Sequence, residues 1–430
     1  MKIKEEVRKM KMAAPVLAAS SEEQRNSALS LIADRLIQNK EAVFSENSKD
    51  LDAADENGVG AALRKRLKFD ESKLNDVVKG IRQLINLPDP LSKITLAREL
   101  DEGLTLYRIS CPIGVIGVIF EARPDALVQI STLAIKSGNC AVLKGGKETA
   151  NTNRILFRII RDAVIEAGLP GECYLQAEQH NEIDELLDCH GEVDLLIPRG
   201  SNRFVQYIMN NTKIPVMGHA DGICHIYVDR DFDETKAIPV IIDAKTQYTA
   251  ACNAVETLLI HRDIAADFLP KLAAALKEKG VKLRGTGEAA ALIPRDVCGC
   301  EVITDDDFAE YLDLIVSVRL VKDVEEAISF INTHGSHHTD SIITENAKVC
   351  ERFMQMVDSA GVYHNCSTRF ADGFRYGFGA EVGISTSKIH ARGPVGLEGL
   401  VTYKYRLFGD GHIVDDYSTG KRSFSHRNLL

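Results

Sequence analysis

The stretch Ile113-Gly-Val-Ile-Gly-Val-Ile-Phe120 is an apolar segment interrupted by glycine, and Pro124 follows it at a position suited to a helix start. A short apolar run between turn residues is typical of a strand that is buried on both faces. The chain then predicts a helix ending near Gly138, a strand over 141–143 and a helix over 148–168. Strands that alternate with helices in this way form a parallel sheet covered by helices, with right-handed crossovers.

The same alternation continues along the chain and predicts a second domain of this kind. Strands are also expected over 193–197 and 225–228, and a new α/β cycle begins near Asp233. That cycle contains predicted strands over 254–260, 314–318, 341–344 and 362–364, with helices over 264–279 and 324–333. The predicted fold class is therefore α/β, with two doubly wound parallel-sheet domains.

Segments on either side of this core have other patterns. Residues 20–87 are helical in pattern, with Ser20 and Glu23 forming a capping box, and they include one apolar stripe made of Ala28, Leu29, Ile32, Ala33 and Leu36. Alternating residues over 104–109 predict a hairpin. After Gly399 the chain is strand-like and then polar, too small to fold alone, so we expect it to pair with the hairpin or with another subunit.

Composition narrows the classes of function. A chain of 430 residues with 45% hydrophobic composition can bury two or three cores, and a net charge of −10 disfavours nucleic-acid binding. Glu5 and Glu6 argue against a secretory signal, and no apolar run approaches the roughly 18 residues of a membrane span. We therefore predict a cytoplasmic protein that binds neither nucleic acid nor membrane.

The ten cysteines have no paired framework and are expected to be reduced thiols. Two groups could suggest a metal, namely Cys298-Gly-Cys300 and the histidines 334, 337 and 338. Neither group has the spacing of a zinc site, so no metal is predicted.

Two charged motifs follow predicted strands, although the dinucleotide signature G-x-G-x-x-G is absent at the strand ends. Lys144-Gly-Gly-Lys147 places two cations beside two residues that let a ligand approach the backbone, yet taken alone such a motif more often marks a solvated turn between strand and helix. Pro198-Arg-Gly-Ser201 opens a helix whose free N–H groups attract anions. Two such motifs in one sheet favour an anionic ligand.

A third motif, Tyr248-Thr-Ala-Ala-Cys252-Asn-Ala254, places a thiol among small residues between a helix and a strand. A cysteine nucleophile acts as a thiolate, and its thioester accepts hydride more readily than a serine ester would. The alternative is a buried structural cysteine.

Five strings together resemble the aldehyde dehydrogenase superfamily, in particular its branch that reduces L-glutamyl 5-phosphate. They are IGVIFEARPD (116–125), KSGNCAVLKGGK (136–147), AACNAVETL (250–258), HNCSTRFADG (364–373) and GISTSKIHARGP (383–394). The resemblance covers nearly the whole chain. It implies an NADP-binding domain over 1–96 and 111–232, a catalytic cysteine domain over 233–399, and a small β oligomerisation arm formed by residues 97–110 and 400–430.

The resemblance also implies roles for individual residues. It makes Cys252 the nucleophile, and it places Lys144 at the adenosine ribose of the cofactor and Gly200 and Ser201 under its pyrophosphate. Gly145 and Arg199 are further candidate cofactor-binding residues. Lys147 stands where NAD-dependent members often carry a carboxylate, and a cation there favours the 2′-phosphate of NADPH.

Two departures from the superfamily concern the reaction itself. Hydrolytic members keep a glutamate that activates water, whereas Gly218 aligns with it here, and losing that base protects a thioester from hydrolysis. Ala122 stands where an asparagine usually stabilises the oxyanion. We expect the Cys252 N–H to serve as one donor, with Asn253 or Arg123 as a second.

The implied reaction turns L-glutamyl 5-phosphate and NADPH into L-glutamate 5-semialdehyde and phosphate through a thioester, on the route toward proline. The glutamate end needs cations, and Thr368, Arg369 and Arg392 are candidates beside Arg123, with surface arginines as the alternative. The polar segment 334–340 is a similar candidate, or it only ends a helix.

Other interpretations stay open from the sequence. An aldehyde dehydrogenase that oxidises to an acid or an acyl-coenzyme A is one, and a non-catalytic NADP-binding thiol sensor is another. The resemblance further implies a homo-oligomer, and the instability of acyl phosphates suggests transient docking of a glutamate kinase.

Overall fold

The computed structural model describes residues 3–179, 181–219, 221–294 and 299–430. The α-helices are α1 (Ile3–Ala18), α2 (Glu22–Gln38), α3 (Lys40–Glu56), α4 (Ala61–Leu67), α5 (Glu71–Ile85), α6 (Pro124–Lys136), α7 (Ala150–Glu166), α8 (Asn181–Leu187), α9 (Asn202–Asn210), α10 (Glu234–Thr246), α11 (Arg262–Glu278), α12 (Gly287–Leu292), α13 (Val324–His334), α14 (Ala347–Met356) and α15 (Val414–Ser418).

The strands are β1 (Ile94–Asp101), β2 (Leu104–Pro112), β3 (Val115–Phe120), β4 (Cys140–Gly145), β5 (Tyr174–Ala177), β6 (Leu195–Arg199), β7 (Cys224–Val228), β8 (Val255–His261), β9 (Lys282–Thr286), β10 (Cys300–Ile303), β11 (Ile315–Val321), β12 (Thr339–Ile343), β13 (Gly361–His364), β14 (Gly383–Ser385), β15 (Gly393–Val395), β16 (Val401–Phe408) and β17 (Arg427–Asn428).

The chain divides into two compact units. The first comprises Met1–Met217, Phe378–Gly383 and Val395–Leu430, and the second comprises Gly218–Gly377 and Ile384–Pro394. The short strands β14 and β15 pair where the chain passes from one unit to the other.

The first unit is built on a parallel sheet of order β5-β4-β3-β6. Every residue of β3 is buried, as the apolar run over 113–120 predicted. The stripe predicted on the first helices is buried on α2, but its capping box is formed by Ser21 and Gln24. The pairing of Ser20 with Glu23 was wrong by one residue, because Ser20 instead donates its hydroxyl to the carbonyl of Leu17 and closes α1.

The second unit contains a parallel sheet whose order within the described residues is β10-β9-β11-β8-β7-β12-β13. Apolar side chains of α10 and α11 pack on its strands and form one core cluster of this unit, and those of α13 and α14 form a second cluster with the same sheet. The sequence-based boundary at residues 232/233 separates β7 from its neighbours. In the structure β7 pairs with β8 and β12, so the boundary between the units lies at Met217/Gly218.

A third, antiparallel sheet has the order β16-β2-β1-β17. The chain after Gly399 therefore pairs with the hairpin β1–β2, which is one of the two arrangements expected for it. In the part of the chain that the structure describes, no helix has the length and apolar character needed to cross a membrane.

Candidate active site

Cys252 lies in the turn between α10 and β8, and its side chain is half-buried. The backbone of Gly222 passes directly against it. A Cβ atom at residue 222 would lie 2.2 Å from the Cys252 carbonyl oxygen, so the close approach requires glycine. The turn that carries the thiol is thus held against the segment that leads into β7.

A histidine faces the thiol. His338 Nε2 lies 3.2 Å from Cys252 Sγ, and the imidazole is buried. Its other nitrogen, Nδ1, lies 2.9 Å from the hydroxyl oxygen of Thr339. A neutral imidazole that donates from Nδ1 to Thr339 presents the Nε2 lone pair to the thiol, which is the arrangement of a nucleophile and its base.

The sequence does not predict this pairing, because the segment 334–340 indicates only a candidate for the glutamate end or a helix terminus. In the structure, His338 directly precedes β12, and Cys252 comes shortly before β8. Both strands flank β7 in a parallel sheet, so residues ahead of them meet at its amino-terminal edge. Only the strand order reveals that neighbourhood.

Two more side chains lie close to the pair. The His219 and His338 rings pack edge to face with centroids 4.8 Å apart, and His219 Nδ1 lies 2.8 Å from the carbonyl oxygen of Ile384. The Cys224 thiol donates to the carbonyl oxygen of Cys252 at 3.3 Å. Gly218, which the sequence resemblance is expected to align with a water-activating glutamate, supplies no carboxylate.

The predicted substrate residues Thr368 and Arg369 lie in this same unit and are buried. Arg369 Nε donates to Gln247 Oε1 at 2.9 Å, and its guanidinium lies 5.9 Å from the centre of the Tyr248 ring. Burial, together with the charge of Arg375, lowers the pKa of Arg369. Arg369 is therefore a buried cation in the same unit as Cys252.

Asn253 and Arg392 have partners within the chain. Asn253 Nδ2 donates to the carbonyl oxygen of Ala371 at 2.7 Å, so its amide holds a loop. Arg392 donates to the carboxylate of Asp358 at 3.1 Å and to its carbonyl oxygen at 3.0 Å, while Lys388 lies 2.6 Å from the same carboxylate. The Arg392 charge is thereby balanced.

The predicted cofactor residues gather at one edge of the sheet in the first unit. Phe120 at the end of β3 pairs in register with Gly145 on one side and Arg199 on the other. Lys144 is buried just before that edge, where burial lowers its pKa, and its ammonium donates to the Gly145 carbonyl oxygen at 2.8 Å. The structure therefore brings both charged motifs together.

Backbone N–H groups at this edge bind anionic oxygens. The Ser201 N–H donates to Glu121 at 2.9 Å, and the Ala122 N–H donates to Glu148 at 2.7 Å. A Cβ at Gly200 would lie 2.4 Å from the Glu121 carboxylate, so the backbone there admits an anion closely. These carboxylates occupy the kind of position that a phosphate oxygen takes at a helix N-terminus, so the residues present fit a dinucleotide.

Two further cations belong to this unit. Lys147 is exposed at the start of a 3₁₀ turn (Lys147–Thr149), and Arg123 is exposed at the N-cap of α6. No contact of either side chain identifies a ligand, so their roles in binding cofactor and substrate stay predictions.

Comparison with known proteins identifies the family. The aldehyde dehydrogenase family model matches residues 1–284. A gamma-glutamyl phosphate reductase from Acetivibrio thermocellus is 54% identical over 430 residues, covering 100% of this chain and 99% of the relative. The chain belongs to the gamma-glutamyl phosphate reductases of the aldehyde dehydrogenase family. The resemblance seen in the sequence is thereby confirmed.

Other relatives agree. A Synechocystis protein named gamma-glutamyl phosphate reductase 1 is 54% identical over 421 residues, covering 97% of this chain and 96% of that one. The crystal structure of the Thermotoga maritima gamma-glutamyl phosphate reductase superposes with a TM-score of 0.93 at 37% identity, over 96% of this chain and 100% of that one. The predicted α/β fold class is therefore confirmed.

More distant structures share the fold alone. A glyceraldehyde-3-phosphate dehydrogenase from Methanocaldococcus jannaschii, solved with NADP, has a TM-score of 0.65 at 15% identity, over 95% of this chain and 94% of that one. Membership of the aldehyde dehydrogenase family supports binding of a nicotinamide cofactor.

Proposed function

We propose that the chain reduces L-glutamyl 5-phosphate to L-glutamate 5-semialdehyde and phosphate, with NADPH as reductant and a thioester on Cys252 as intermediate. The observation that carries the covalent route is the His338 Nε2 atom 3.2 Å from the thiol sulfur. The choice of substrate is supported by the relatives, which are named gamma-glutamyl phosphate reductases. An unactivated carboxylate resists hydride, which explains why the substrate is an acyl phosphate.

In the first half-reaction, His338 Nε2 accepts the thiol proton, and the Cys252 sulfur attacks the acyl carbon. The bond from that carbon to the phosphate oxygen breaks, and the phosphate leaves with the bonding electrons and the proton from His338. The product is a γ-glutamyl thioester. The glycine at position 218 provides no carboxylate to activate water, which protects this thioester from hydrolysis.

The second half-reaction needs a hydride at the thioester carbon, which NADPH would supply when bound. The carbon–sulfur bond then breaks, the aldehyde leaves, and the Cys252 sulfur takes up one proton from solvent through His338. One acyl phosphate, one NADPH and one proton are thus converted to one aldehyde, one NADP⁺ and one phosphate.

For the cofactor, we assign the ribose to Lys144 and Gly145, and the pyrophosphate to Arg199, Gly200 and Ser201. The Ser201 N–H already binds a carboxylate, which supports an anion site there. Lys147 is the residue we assign to the 2′-phosphate, because it is exposed and cationic beside that edge.

For the glutamate end, we propose Arg369 as the cation for the α-carboxylate. Two buried polar atoms, Thr368 Oγ1 and Asn253 Oδ1, have no hydrogen-bond partner within the described part of the chain. Buried polar atoms are costly without partners, so these two suit hydrogen bonds to a substrate. Arg369→Gln should raise the KM for the acyl phosphate, whereas Arg392→Gln, already tied to Asp358, should raise it less; the reverse order would refute this assignment.

We further infer a homo-oligomer formed through the third sheet. The outer strand β16 exposes Tyr403, Tyr405, Leu407 and Phe408, each more than half exposed. Sedimentation that shows only monomer would contradict this inference. Cytoplasmic residence and docking of a glutamate kinase stay predictions, and a pull-down without kinase would count against the second.

One assay separates the proposed function from its alternatives. With L-glutamate 5-semialdehyde and NADP⁺, the chain should reduce the cofactor through repeated turnovers only when phosphate or arsenate is present, and by no more than one NADP⁺ per active site without them. Repeated turnover without either anion would indicate oxidation to the free acid, and dependence on coenzyme A would indicate an acylating enzyme. No reduction under any of these conditions would indicate a non-catalytic NADP-binding protein.

A further inference from the structure

The nucleophile and two histidines form a compact ligand cluster in the second unit. One side-chain atom from each of His219, Cys252 and His338 lies within 4.8 Å of the other two. We propose that this cluster is a binding site for Zn²⁺, and that the bound ion reversibly blocks the thiol. The prediction of no metal rested on local sequence spacing, and these three residues come from distant segments.

The spacing of the cluster is close to that of a tetrahedral zinc site. Metal bonds of about 2.0–2.1 Å to nitrogen and about 2.3 Å to sulfur place neighbouring ligand atoms about 3.3–3.6 Å apart. The sulfur and His338 Nε2 already lie 3.2 Å apart. From the 4.8 Å limit, the widest pair must close by about 1.2–1.5 Å, which side-chain rotation of the half-buried His219 and Cys252 can provide.

The hydrogen bonds of both histidines leave a ring nitrogen for the metal. A carbonyl oxygen can only accept, so His219 donates its Nδ1–H to Ile384 and keeps its lone pair on Nε2. His338 has Thr339 Oγ1 beside Nδ1 and directs Nε2 at the sulfur. Metal-binding histidines in proteins are commonly oriented by such bonds from the second nitrogen.

The chemistry of the set selects a soft cation. One thiolate and two imidazoles favour Zn²⁺ over Mg²⁺, which prefers oxygen ligands and keeps its water. Three protein ligands leave a fourth position for water. A sulfur held by the metal cannot attack an acyl carbon, so zinc should compete with the acyl phosphate; this inhibitory consequence rests on the proposed function, while the binding itself does not.

Cobalt absorption tests the binding without reference to catalysis. Co²⁺ added to the full chain should produce a thiolate-to-cobalt charge-transfer band and the intense visible bands of a tetrahedral site, and Zn²⁺ should remove both. Cys252→Ser should abolish the charge-transfer band, and His219→Ala should weaken metal binding by about tenfold or more. Cys350→Ser, at a half-buried thiol of α14, is the matched control and should bind as wild type.

A second measurement needs no variant, in case a substitution impairs folding. Micromolar Zn²⁺ should slow alkylation of Cys252 by iodoacetamide at least about tenfold, while Mg²⁺ should not, and alkylation of Cys350 should be unaffected by either ion. Chelation should restore the rate. Equal alkylation of Cys252 with and without zinc, or a cobalt band that survives Cys252→Ser, would overturn the proposal. Neither readout depends on activity. Failure of the metal-site proposal can therefore be distinguished from failure of the catalytic proposal.

Discussion

His338 Nε2 lies 3.2 Å from Cys252 Sγ although 86 positions separate the two residues in the chain. The pairing follows from strand order, since β8, β7 and β12 are adjacent and parallel, and both residues lie ahead of the strands that flank β7. Because Thr339 engages the other ring nitrogen, the imidazole is oriented toward the sulfur.

Replacing His338 with glutamine should remove the proton acceptor while keeping a side chain of similar size. We expect kcat to fall by about 10²-fold or more, the usual range for loss of a general base. Alkylation of Cys252 by iodoacetamide should also slow, because less thiolate forms. His334→Gln is the control. It makes the same substitution at a histidine whose ring stacks on Phe330 instead of facing the thiol. Unchanged alkylation in His338→Gln would show that the imidazole does not activate the thiol.

Gly222→Ala tests whether the turn that bears the thiol depends on a close backbone approach. The added Cβ would lie 2.2 Å from the Cys252 carbonyl oxygen, so one segment must move. Overpacking costs about 1–3 kcal/mol, and a displaced nucleophile can lose about 10²-fold in rate. Thermal unfolding and kcat measure the two effects.

Gly287→Ala makes the same chemical change at the start of α12, where a Cβ meets nothing within 4 Å. This control should retain wild-type activity and stability. Equal behaviour of the two variants would contradict the steric argument.

The buried pair Lys245–Glu256 links the helix before the thiol to the strand after it, with 2.6 Å between its charged atoms. Burial raises the pKa of Glu256 to about 7, although Lys245 counteracts the shift. Lys245→Met removes the compensating charge, so the pKa of Glu256 should rise further. Between its unfolded and folded pKa values, the folded state binds more protons than the unfolded state, so stability falls as pH rises.

Lys245→Met should therefore destabilise the chain by about 3–5 kcal/mol at about pH 8, and by less at about pH 6. Urea unfolding at both pH values measures this difference. Lys236→Met, on the same helix, breaks an exposed ion pair with Glu345 and should cost little at either pH. If the loss of unfolding free energy in Lys245→Met does not grow as the pH rises, the account of this pair is refuted.

Lys147→Glu should reverse the charge offered to the cofactor's 2′-phosphate. We expect the KM for NADPH to rise by about tenfold or more while the KM for NADH changes little, since only NADPH carries that phosphate. Lys79→Glu on α5 makes the same change in net charge at another exposed position of the first unit. If both variants raise the KM for NADPH equally, or if Lys147→Glu raises the KM for NADH as much as that for NADPH, Lys147 does not bind the 2′-phosphate.

The sequence predicted those elements whose pattern is strongest. The apolar run ending at Phe120 forms β3, and every residue of that strand is buried. The motifs ending at Lys147 and Ser201 meet at one edge of the sheet. Those predictions succeed because apolar periodicity and the parallel arrangement fix where strand ends lie.

Other features needed tertiary information. The strands β9 and β10 were not predicted, because both are short and mix charged residues with apolar ones at one end of the sheet. Cys298, one of the cysteines considered for a metal, lies outside the described residues. The roles of His338 and His219 depend on strand order and loop packing, which no local motif encodes.

The central claim is that Cys252 carries the glutamyl group. Incubating the wild-type chain with L-glutamate 5-semialdehyde and NADP⁺, without phosphate, should trap the acyl-enzyme. Intact-mass and peptide mass spectrometry should then show one added glutamyl group on Cys252, lost when phosphate is added and absent from Cys252→Ser. Cofactor reduction that leaves Cys252 unmodified, or a glutamyl group on a different residue, would contradict the account.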